Sequence, residues 1–519
     1  MYDPALVRAF HEAGWWRSAP LRADIEAHDA HAIAFTSATA SLTWGEYRCR
    51  ARDLARALTA VGARCGDRVA VLLPDAIAVH VAYLAAEYAG VCVVGIARRS
   101  GEAEVRRLLE RTGAVALVSD GTRGGYGLPE IVLDARGGTS ARRGPPPEGP
   151  GLGPDDLFLI NSTSGTTGLP KCVTHTQNRW LYFASLAIDA GRLGADDVFA
   201  SVVPAPYGFG LWSAHFVPAL LGRPCVVTER FDVVATLDLL ARERVTVLAA
   251  VTTQLLMLLD EIEAGRGTWD LSALRCVFTG GERVPYERML AFEDRVGASV
   301  LQFYGANESG AISHTTLEDP REMRLRTAGR IVPQMRVRLF DQDGEETTGT
   351  GVPGCLGPAM GPGYWDDPEA DARLFRADGW QLMGDLVRVD AQGWLTVVGR
   401  VSDFIVRGGK NISAPAVEEQ IASHPAVAQV AVVAAPDARL GERACAYVVP
   451  LPGHSLELVE LTRHLAALQV TREWWPEHLV CVDALPYSPG GKVAKQHLRE
   501  DAARRFGAGP PQEAGTLAG

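Results

Sequence analysis

The 519-residue sequence has no Cys-x-x-Cys pair among its nine cysteines, no excess of basic charge and no long run of uncharged apolar residues. An odd number of scattered cysteines argues against a disulfide framework or a zinc site. The 51 lysines and arginines are outnumbered by 62 acidic residues, for a net charge of −11. This balance argues against a nucleic-acid partner, which requires a basic face.

The most apolar region, residues 79–97, is interrupted by His80 and Glu87, so we expect no membrane-spanning helix and no membrane partner. The first 20 residues have neither the basic segment nor the apolar core of a signal peptide. We therefore expect a cytoplasmic protein with reduced thiols. Its 47% hydrophobic and 22% charged residues are typical of a globular chain.

Apolar strands alternate with amphipathic helices in residues 68–119 and again in residues 233–279. This alternation predicts βαβ units and a parallel sheet. Short strands with turn signals follow after about residue 330, and a compact α+β pattern begins near Asp403. We predict an α/β fold with a large N-terminal body of βαβ units plus a β-rich subdomain, followed by a small mobile α+β C-terminal lid. The predicted boundaries are 1–402 for the body, 403–505 for the lid and 506–519 for a disordered tail.

A short apolar strand, Leu157–Ile160, runs into the segment NSTSGTTGLPK at residues 161–171. Its hydroxyl groups, glycine backbone and Lys171 could together bind one anionic group such as a polyphosphate. An ordinary Ser/Thr/Gly surface loop is the alternative from composition alone. The segment is not a Walker A loop, because Cys172 follows Lys171 where Ser or Thr is required. No Rossmann fingerprint is present, since Gly151-Leu152-Gly153 lacks the third glycine.

The string STSGTTGLPK resembles the phosphate loop of the adenylate-forming superfamily, which includes acyl- and aryl-CoA ligases, stand-alone aryl-acid adenylating enzymes and luciferases. Four further segments are similar to motifs of that family and occur in the same order, so the resemblance covers about residues 10–500. These segments are QFYGANE at 302–308, GDL at 384–386, GRVSDFIVRGGKN at 399–411 and LPYSPGGKVAK at 485–495.

The resemblance implies ATP and Mg²⁺ as cofactors and assigns catalysis to Lys492, Glu308 and Lys171. A carboxylate such as that of Glu308 suits a hard cation that bridges phosphates, so this residue is the expected metal ligand. A lysine such as Lys492 suits the charge that develops on phosphate and carboxylate oxygens during adenylate formation. The other nucleotide-binding residues implied by the family pattern are Thr163, Ser164, Gly165, Thr166, Thr167, Gly168, Gly281, Glu282, Phe303, Tyr304, Gly305, Asn307, Asp385 and Arg400.

By the same resemblance, Asp403 is the hinge about which the lid rotates between two half-reactions. The rotation would replace Lys492 at the reacting centre with the hairpin at residues 408–410, beside a tunnel for a thiol. The co-substrate implied by the family is therefore coenzyme A (CoA) or a phosphopantetheine group, with an acyl carrier protein as the partner in the second case.

Residues 203–212 (VPAPYGFGLW) occupy the segment that binds and gates the acid in the family. Their aromatic rings, together with residues 278–281, predict a flat apolar pocket, although plain core packing is an equal alternative for any one ring. The predicted pocket residues are Tyr207, Phe209, Trp212, Phe278 and Gly280. No aspartate lies between Pro204 and Ala214 to pair with an α-ammonium group, which disfavours an amino-acid substrate. The opening FHEAGWWR at 10–17 is similar to the start of stand-alone aryl-acid and cyclohexanecarboxylate ligases.

The predicted function is ATP-dependent activation of a small aromatic or cyclic carboxylic acid as an acyl-adenylate, followed by transfer to a thiol. One alternative is activation of another oxyacid, such as nitrite for diazotisation of an aryl amine. Another is a nucleotide-binding relative without catalysis. The chain departs from the family pattern at five positions, where the usual residue is given in parentheses: Cys172 (Gly), Asn307 (Thr), Met383 (Thr), Leu382 (Arg) and Cys355 (Glu).

Overall fold

The computed structural model describes residues 2–163, 171–281, 284–341, 343–400, 403–408, 410–487 and 493–507. Contacts within the chain divide it into two compact units. The larger unit comprises residues 1–338, 354–383 and 390–396, and the smaller unit comprises residues 339–353, 384–389 and 397–519. Each unit is described separately below.

The helices of the larger unit are α1 (Pro4–Glu12), α2 (Leu21–Ala27), α3 (Trp44–Ala60), α4 (Ile77–Ala89), α5 (Glu102–Thr112), α6 (Gln177–Gly191), α7 (Gly208–Leu211), α8 (Val217–Leu221), α9 (Val233–Arg242), α10 (Thr252–Ala264), α11 (Tyr286–Val296), α12 (Arg321–Arg326) and α13 (Pro368–Leu374). A π-helical turn, Trp212–Phe216, joins α7 to α8. The helices of the smaller unit are α14 (Ala414–Ala422), α15 (Leu458–Ala467) and α16 (Lys495–Phe506), with a short 3₁₀ turn at Arg472–Trp474.

The strands up to residue 331 are β1 (Ile33–Thr36), β2 (Ser41–Thr43), β3 (Arg68–Leu72), β4 (Cys92–Gly95), β5 (Ala116–Ser119), β6 (Glu130–Val132), β7 (Leu157–Thr163), β8 (Lys171–Thr176), β9 (Phe199–Ser201), β10 (Cys225–Val227), β11 (Val247–Ala249), β12 (Cys276–Gly280), β13 (Ser299–Ala306), β14 (Gly310–His314) and β15 (Arg330–Ile331). The later strands are β16 (Arg336–Phe340), β17 (Glu346–Thr347), β18 (Thr350–Leu356), β19 (Gln381–Leu382), β20 (Asp385–Val389), β21 (Leu395–Arg400), β22 (Phe404–Arg407), β23 (Lys410–Ser413), β24 (Val427–Asp437), β25 (Gly441–Pro450) and β26 (His478–Cys481).

Two sheets lie wholly within the larger unit, with strand orders β6-β5-β3-β4-β7-β8 and β15-β14-β13-β12-β11-β9-β10-β1-β2. The inner strands of both are parallel, and antiparallel pairs occur only at the edges, as in β7–β8 and β13–β14. The buried strands are nearly continuous apolar runs because helices cover both faces of parallel sheets. The predicted βαβ pattern of residues 68–119 and 233–279 is thus confirmed.

Local sequence signals define where these helices begin and end. A capping box starts α3, in which the Thr43 hydroxyl accepts a hydrogen bond from the Glu46 backbone and the Glu46 carboxylate accepts one from the Thr43 backbone. Gly90 ends α4 and Gly113 ends α5, each with a positive φ that a glycine adopts without strain. These signals fix the lengths of the helices that flank the first sheet.

The smaller unit is built on β24 and β25, which pair along ten positions from Val427–Pro450 to Asp437–Gly441. Their side chains alternate between two cores, as the two-residue period of a strand requires. Val432 packs with α14 and α15 on one face, whereas Ala431 and Val433 pack with α16 on the other. The unit therefore has its own hydrophobic core, as the prediction of an α+β domain requires.

The mixed α/β architecture with a large N-terminal part and a smaller C-terminal part is confirmed by the structure. The boundary at residues 402 and 403 stays a prediction, because the smaller unit also takes in residues 339–353 and 384–389. The predicted tail begins on the last residue of α16, and residues 508–519 lie outside the described residues. Within the described ranges, none of the helices has the length and hydrophobicity needed to cross a bilayer.

Candidate active site

The candidate site of the larger unit lies at the carboxyl ends of its parallel strands, where open α/β sheets bind ligands. Strand β7 ends at Thr163, β12 at Gly280 and β13 at Ala306. Residues Ser164–Gly168 of the predicted phosphate loop lie outside the described residues, as does Glu282. The chain returns at Lys171, which begins β8 and pairs with Thr163 across the ladder. The two ends of the phosphate loop are therefore neighbouring residues in the sheet.

The turn after β13 carries Glu308, the predicted metal ligand. Its carboxylate oxygen Oε1 accepts a hydrogen bond of 2.8 Å from the Tyr364 hydroxyl. Burial and the negative charge of Glu308 raise the pKa of Tyr364, so this phenol remains a protonated donor. The Lys171 ammonium lies 5.0 Å from the centroid of the same ring, within reach of a cation–π interaction. The structure thus gathers Lys171 and Glu308 around Tyr364.

The Glu308 carboxylate suits a magnesium ion that is held mainly by phosphate oxygens. No group of three or more His, Cys, Asp or Glu side chains in the described ranges could hold a metal by itself. Mg²⁺ usually keeps several waters and takes only one or two carboxylates when it binds together with phosphates. One half-buried carboxylate with a second oxygen beyond the Tyr364 bond suits that role.

Close packing at two glycines brings the strands of this edge together. At Gly305, an added Cβ would stand 1.8 Å from the carbonyl oxygen of Gly310, so the bulge between β13 and β14 requires glycine. At Gly280, an added Cβ would stand 2.5 Å from the carbonyl oxygen of Phe303. The two predicted site glycines therefore allow the backbones of β12, β13 and β14 to approach closely.

An aromatic cluster adjoins these glycines and contains three of the predicted pocket residues. We define the cluster as Phe183, Phe209, Trp212, Phe278, Phe303 and His314. The Phe209 and Trp212 rings are stacked with centroids 5.5 Å apart, and Trp212 meets the edge of Phe278 at 5.4 Å. Phe303 contacts both Phe278 and His314. Burial lowers the pKa of His314, so this end of the cluster is neutral.

The remaining predicted pocket residue, Tyr207, precedes α7 and is half-buried. Burial raises the pKa of its phenol, with the charges of Glu104 and Asp75 acting in the same direction. Phe209 is also half-buried, whereas Trp212 and Phe278 are 3% and 1% exposed. The rings at 212 and 278 therefore form the base of the cluster, and Phe209 lies nearer its surface.

A chain of buried polar side chains connects β7 to the turn that carries Glu308, and the sequence analysis missed it. Asn161 on β7 contacts the Asn307 side chain, with its Oδ1 accepting from Asn307 Nδ2 and its Nδ2 donating to Asn307 Oδ1 at 3.4 Å. Asn161 Oδ1 also lies 2.8 Å from His175 Nε2, and His175 Nδ1 lies 2.7 Å from an Arg179 nitrogen. We call Asn161, His175 and Arg179 the polar chain.

Arg179, at the end of the polar chain, donates hydrogen bonds to three backbone carbonyls. The guanidinium donates to Ala359 at 3.0 Å, to Asn307 at 2.9 Å and to Glu308 at 3.3 Å. Arg179 is only 1% exposed, and burial lowers the pKa of its guanidinium from the ordinary value. At Gly361 an added Cβ would stand 2.7 Å from this guanidinium, so glycine is needed there.

The smaller unit contains two of the predicted nucleotide-binding residues, Asp385 and Arg400, and the predicted hinge. Arg400 Nε donates to the Asp385 carboxylate at 3.2 Å, so these two predicted nucleotide-binding residues are neighbours. Asp403 directly precedes β22, and its carboxylate contacts the Arg499 guanidinium and the Lys495 ammonium, the latter at 3.7 Å. The predicted catalytic Lys492 lies outside the described residues, and so does Gly409 of the predicted hairpin.

Comparisons with known proteins place these features in a family. The family model described as "AMP-binding enzyme" matches residues 21–365, and the model described as "AMP-binding enzyme C-terminal domain" matches residues 416–492. The chain belongs to the AMP-binding enzyme family. The predicted membership of the adenylate-forming superfamily is thereby confirmed, as is the prediction of an ATP-dependent adenylate-forming ligase.

Two relatives and one solved structure illustrate what this AMP-binding enzyme is similar to. The salicylyl-CoA synthase / salicylate adenylyltransferase of a Streptomyces species is 33% identical, over 95% of each chain. The medium-chain fatty-acid–CoA ligase of Escherichia coli (strain K12) is 38% identical over 68% of this chain, a match that spans 62% of the relative. The ATP-bound structure of MatB from Rhodopseudomonas palustris superposes with a TM-score of 0.84 at 26% identity, covering 94% of this chain and all of that one.

Three departures from the pattern of the AMP-binding enzymes are buried in the structure. Cys172 and Cys355 are fully buried in β8 and β18, and Met383 is 6% exposed. Burial raises the pKa of both thiols, to about 11 for Cys172 and about 12 for Cys355, so they stay protonated at neutral pH. They therefore pack as small apolar side chains. The departure at Asn307 is different, because its amide is paired with Asn161.

Proposed function

We propose that this enzyme activates a small aromatic or cyclic monocarboxylic acid with ATP, forms the acyl-adenylate and pyrophosphate, and transfers the acyl group to the thiol of CoA or of a carrier-protein phosphopantetheine. The aromatic cluster is the observation that favours an aromatic or cyclic acid. Its rings offer flat apolar contacts, and its one titratable member, His314, is neutral. No aspartate lies between Pro204 and Ala214 to pair with the ammonium group of an amino acid, and burying such a group unpaired is costly.

The names of the relatives support an aryl substrate and leave the acceptor open. The Streptomyces relative is named for both an aryl-CoA product and an aryl adenylate, and the Escherichia coli relative is named for a fatty acid and CoA. All of these substrates are carboxylic acids. The relatives thus give no support to nitrite as the substrate or to an inactive protein.

In the proposed first half-reaction, Lys171 and the phosphate loop bind the β- and γ-phosphates of ATP, Glu308 holds Mg²⁺, and Asp385 and Arg400 bind the ribose. When bound, Mg²⁺ would neutralise charge on the phosphates. Tyr364 keeps the Glu308 carboxylate in a fixed direction through the bond to Oε1. Lys492 stabilises the charge that develops when the acid attacks the α-phosphate.

The scarcity of lysine supports these roles. Only four of the 51 basic residues are lysines, and they are Lys171, Lys410, Lys492 and Lys495. All four fall within the motif segments, whereas the other 47 basic residues are arginines. An ammonium is a compact point charge, and a planar guanidinium cannot replace it where one oxygen must be contacted closely. Two of the four, Lys171 and Lys492, stand where the proposed chemistry requires an ammonium.

Pyrophosphate release with a panel of acids tests the proposal. We expect release with benzoate-like or cyclohexanecarboxylate-like acids, and conversion of CoA to a thioester with the same acids. Release that requires nitrite and an aryl amine would contradict the proposal, as would binding of ATP without release for any acid.

The Lys492→Ala and Lys492→Arg variants test the predicted catalytic residue. We expect adenylate formation to fall at least about 100-fold in both, because each removes the ammonium that is proposed to stabilise the developing charge. Arg504→Ala is the matched control, since Arg504 is an exposed cation of the same unit that pairs with Asp501. Unchanged pyrophosphate release in both Lys492 variants would contradict the assignment.

A further inference from the structure

Asn161 occupies a junction of three segments that the proposed function assigns to different parts of the substrate. It lies on β7, which leads into the phosphate loop. Its Nδ2 donates at 2.9 Å to the carbonyl of Pro206, directly before Tyr207 of the acid-binding segment. Its side chain also pairs with Asn307, next to Glu308. One buried amide therefore connects the proposed phosphate, acid and metal segments.

The direction of every hydrogen bond in the polar chain follows from Arg179. A guanidinium has only donors, so His175 Nδ1 must accept from it. His175 is then the tautomer with its proton on Nε2, which donates to Asn161 Oδ1. The Asn161 amide nitrogen consequently faces the carbonyls of Pro206 and of the Asn307 side chain. No other orientation of these groups satisfies all of the contacts.

The same geometry fixes the charge state of the chain. Protonation of His175 on Nδ1 would point an N–H group at the Arg179 guanidinium, which is unfavourable. Burial and the Arg179 charge both lower the pKa of His175 well below its ordinary value. The polar chain thus has one cationic end, at Arg179, and a neutral remainder. All three members are at most 1% exposed.

We infer that Asn161, His175 and Arg179 are positioning residues for nucleotide binding: they hold the Asn307 side chain and the Asn307–Glu308 backbone in the geometry that meets the ATP phosphates and Mg²⁺. Asn307 Nδ2 has two hydrogens and Asn161 takes one of them, so the other keeps a fixed direction. Arg179 acts on the backbone of the same turn by binding its two carbonyls. The inference rests on the proposed function, because it assigns this turn to ATP.

The Asn161→Leu variant tests the inference against a matched control. The substitution keeps the volume of the side chain but removes its contacts to Asn307, His175 and Pro206. Asn178→Leu makes the same change at an equally buried asparagine, which hydrogen-bonds the Arg17 backbone and Asp155. The measurements are the Kd of Mg·ATP by calorimetry without any acid, the KM for ATP and kcat from pyrophosphate release, and the unfolding midpoint.

We expect Asn161→Leu to weaken Mg·ATP binding and to raise the KM for ATP by about 10- to 100-fold, the range typical when partners of a metal ligand are lost. Asn178→Leu should lose comparable stability while its Kd for Mg·ATP stays within about twofold of the wild type. If both variants lose stability and keep the wild-type Kd, the polar chain is merely structural and the inference is wrong. Should Asn161→Leu fail to fold, Asn161→Ser replaces it, because its hydroxyl is too short to hold Asn307 and the same loss is expected.

Rescue gives a readout that a structural role would not move. In the double variant Asn161→Leu/Asn307→Thr, the amide that has lost its partner is replaced by a hydroxyl, which needs fewer partners. We expect the double variant to recover several-fold of the Mg·ATP affinity lost in Asn161→Leu, since residues in one hydrogen-bonded network are not additive. Additive losses would overturn the inference.

The same measurements separate this inference from the proposed function. A wild type that binds Mg·ATP but releases no pyrophosphate with any acid contradicts the proposed function alone. A wild type that does both, with an Asn161→Leu variant that binds Mg·ATP as tightly, contradicts this inference alone.

Discussion

The two units hold their functional polar groups in physically different ways. In the larger unit, the polar chain Asn161–His175–Arg179 is buried, and Arg179 binds carbonyls and an imidazole, with no hydrogen bond to a carboxylate among the described residues. In the smaller unit, Asp403 sits in an ionic cluster with Arg499, Lys495 and Glu418. The side chains of this ionic cluster are between 14% and 23% exposed.

The difference matches what each region is proposed to do. A buried chain of donors and acceptors has one satisfied arrangement, because an unpaired polar group in the interior is costly. Such a chain suits a turn that must hold phosphates and metal in fixed positions. Partly exposed ions can exchange partners with water at less cost than fully buried groups, and their attraction is partly screened. Such a cluster suits the proposed hinge at Asp403, which must rotate.

The largest expected effect in this comparison comes from Arg179→Met. The variant removes the donor from the carbonyls of Ala359, Asn307 and Glu308 and from His175. Each buried acceptor left unpaired costs about 1–3 kcal/mol, so the free energy of unfolding should fall by about 3 kcal/mol or more. Urea unfolding measures this loss, and it should be the same at low and high salt. A loss under about 1 kcal/mol would show that the polar chain does not depend on its cation.

The second effect concerns pH and is expected for His175→Gln. Glutamine can accept from Arg179 and donate to Asn161 as neutral histidine does, but it does not titrate. The pKa of His175 is lowered by folding, so the unfolded chain binds a proton below about pH 6.5 that the folded chain does not. Stability is therefore complete above that pH and is lost as the pH falls. The variant should reduce this slope by about 1.4 kcal/mol per pH unit.

In the smaller unit, Glu418 should give a pH dependence of stability that is opposite in sign to that of His175. Burial raises the pKa of Glu418 from its ordinary value of 4.5, although Lys495 opposes the shift. Its contribution to stability is therefore lost as the pH rises above about 4.5, and Glu418→Gln should change the slope in the opposite sense to His175→Gln. Urea unfolding between pH 4 and 7 measures both. Parallel profiles for the wild type and His175→Gln would contradict the neutral tautomer.

The sequence predicted the fold well because its signals are local. Apolar strands of four to eight residues, helical periodicity and glycines after helices all act within one element. Helix α5, for example, spans Glu102–Thr112 and ends before Gly113. The resemblance of their motifs to a family implied that Lys171 and Glu308 share one site. The spacing of the two residues along the chain would not have revealed this.

The polar chain could not be predicted from local signals. Asn161 looks like the polar end of the strand Leu157–Ile160, and Arg179 looks like a surface cation at the start of a helix. Their partners lie up to 180 residues away in sequence, at Ala359 in the case of Arg179. One weak signal was present: Asn307 departs from the usual threonine, and its longer amide requires a partner that a hydroxyl does not. A search for polar residues inside neighbouring apolar strands would have found Asn161.

The smallest expected effect is that of Arg499→Gln in the ionic cluster of the smaller unit. Arg499 and Asp403 are 23% and 14% exposed, so their attraction is partly screened by water. Pairs of this kind contribute about 0.2–1 kcal/mol, and the loss on unfolding should shrink further at high salt. Arg504→Gln on the same helix, an exposed cation paired with Asp501, should change stability even less. A loss of unfolding free energy in Arg499→Gln as large as that in Arg179→Met, and insensitive to salt, would show that Asp403 is held as rigidly as the polar chain. A hinge at Asp403 would then have to break a contact too strong to be exchanged during turnover.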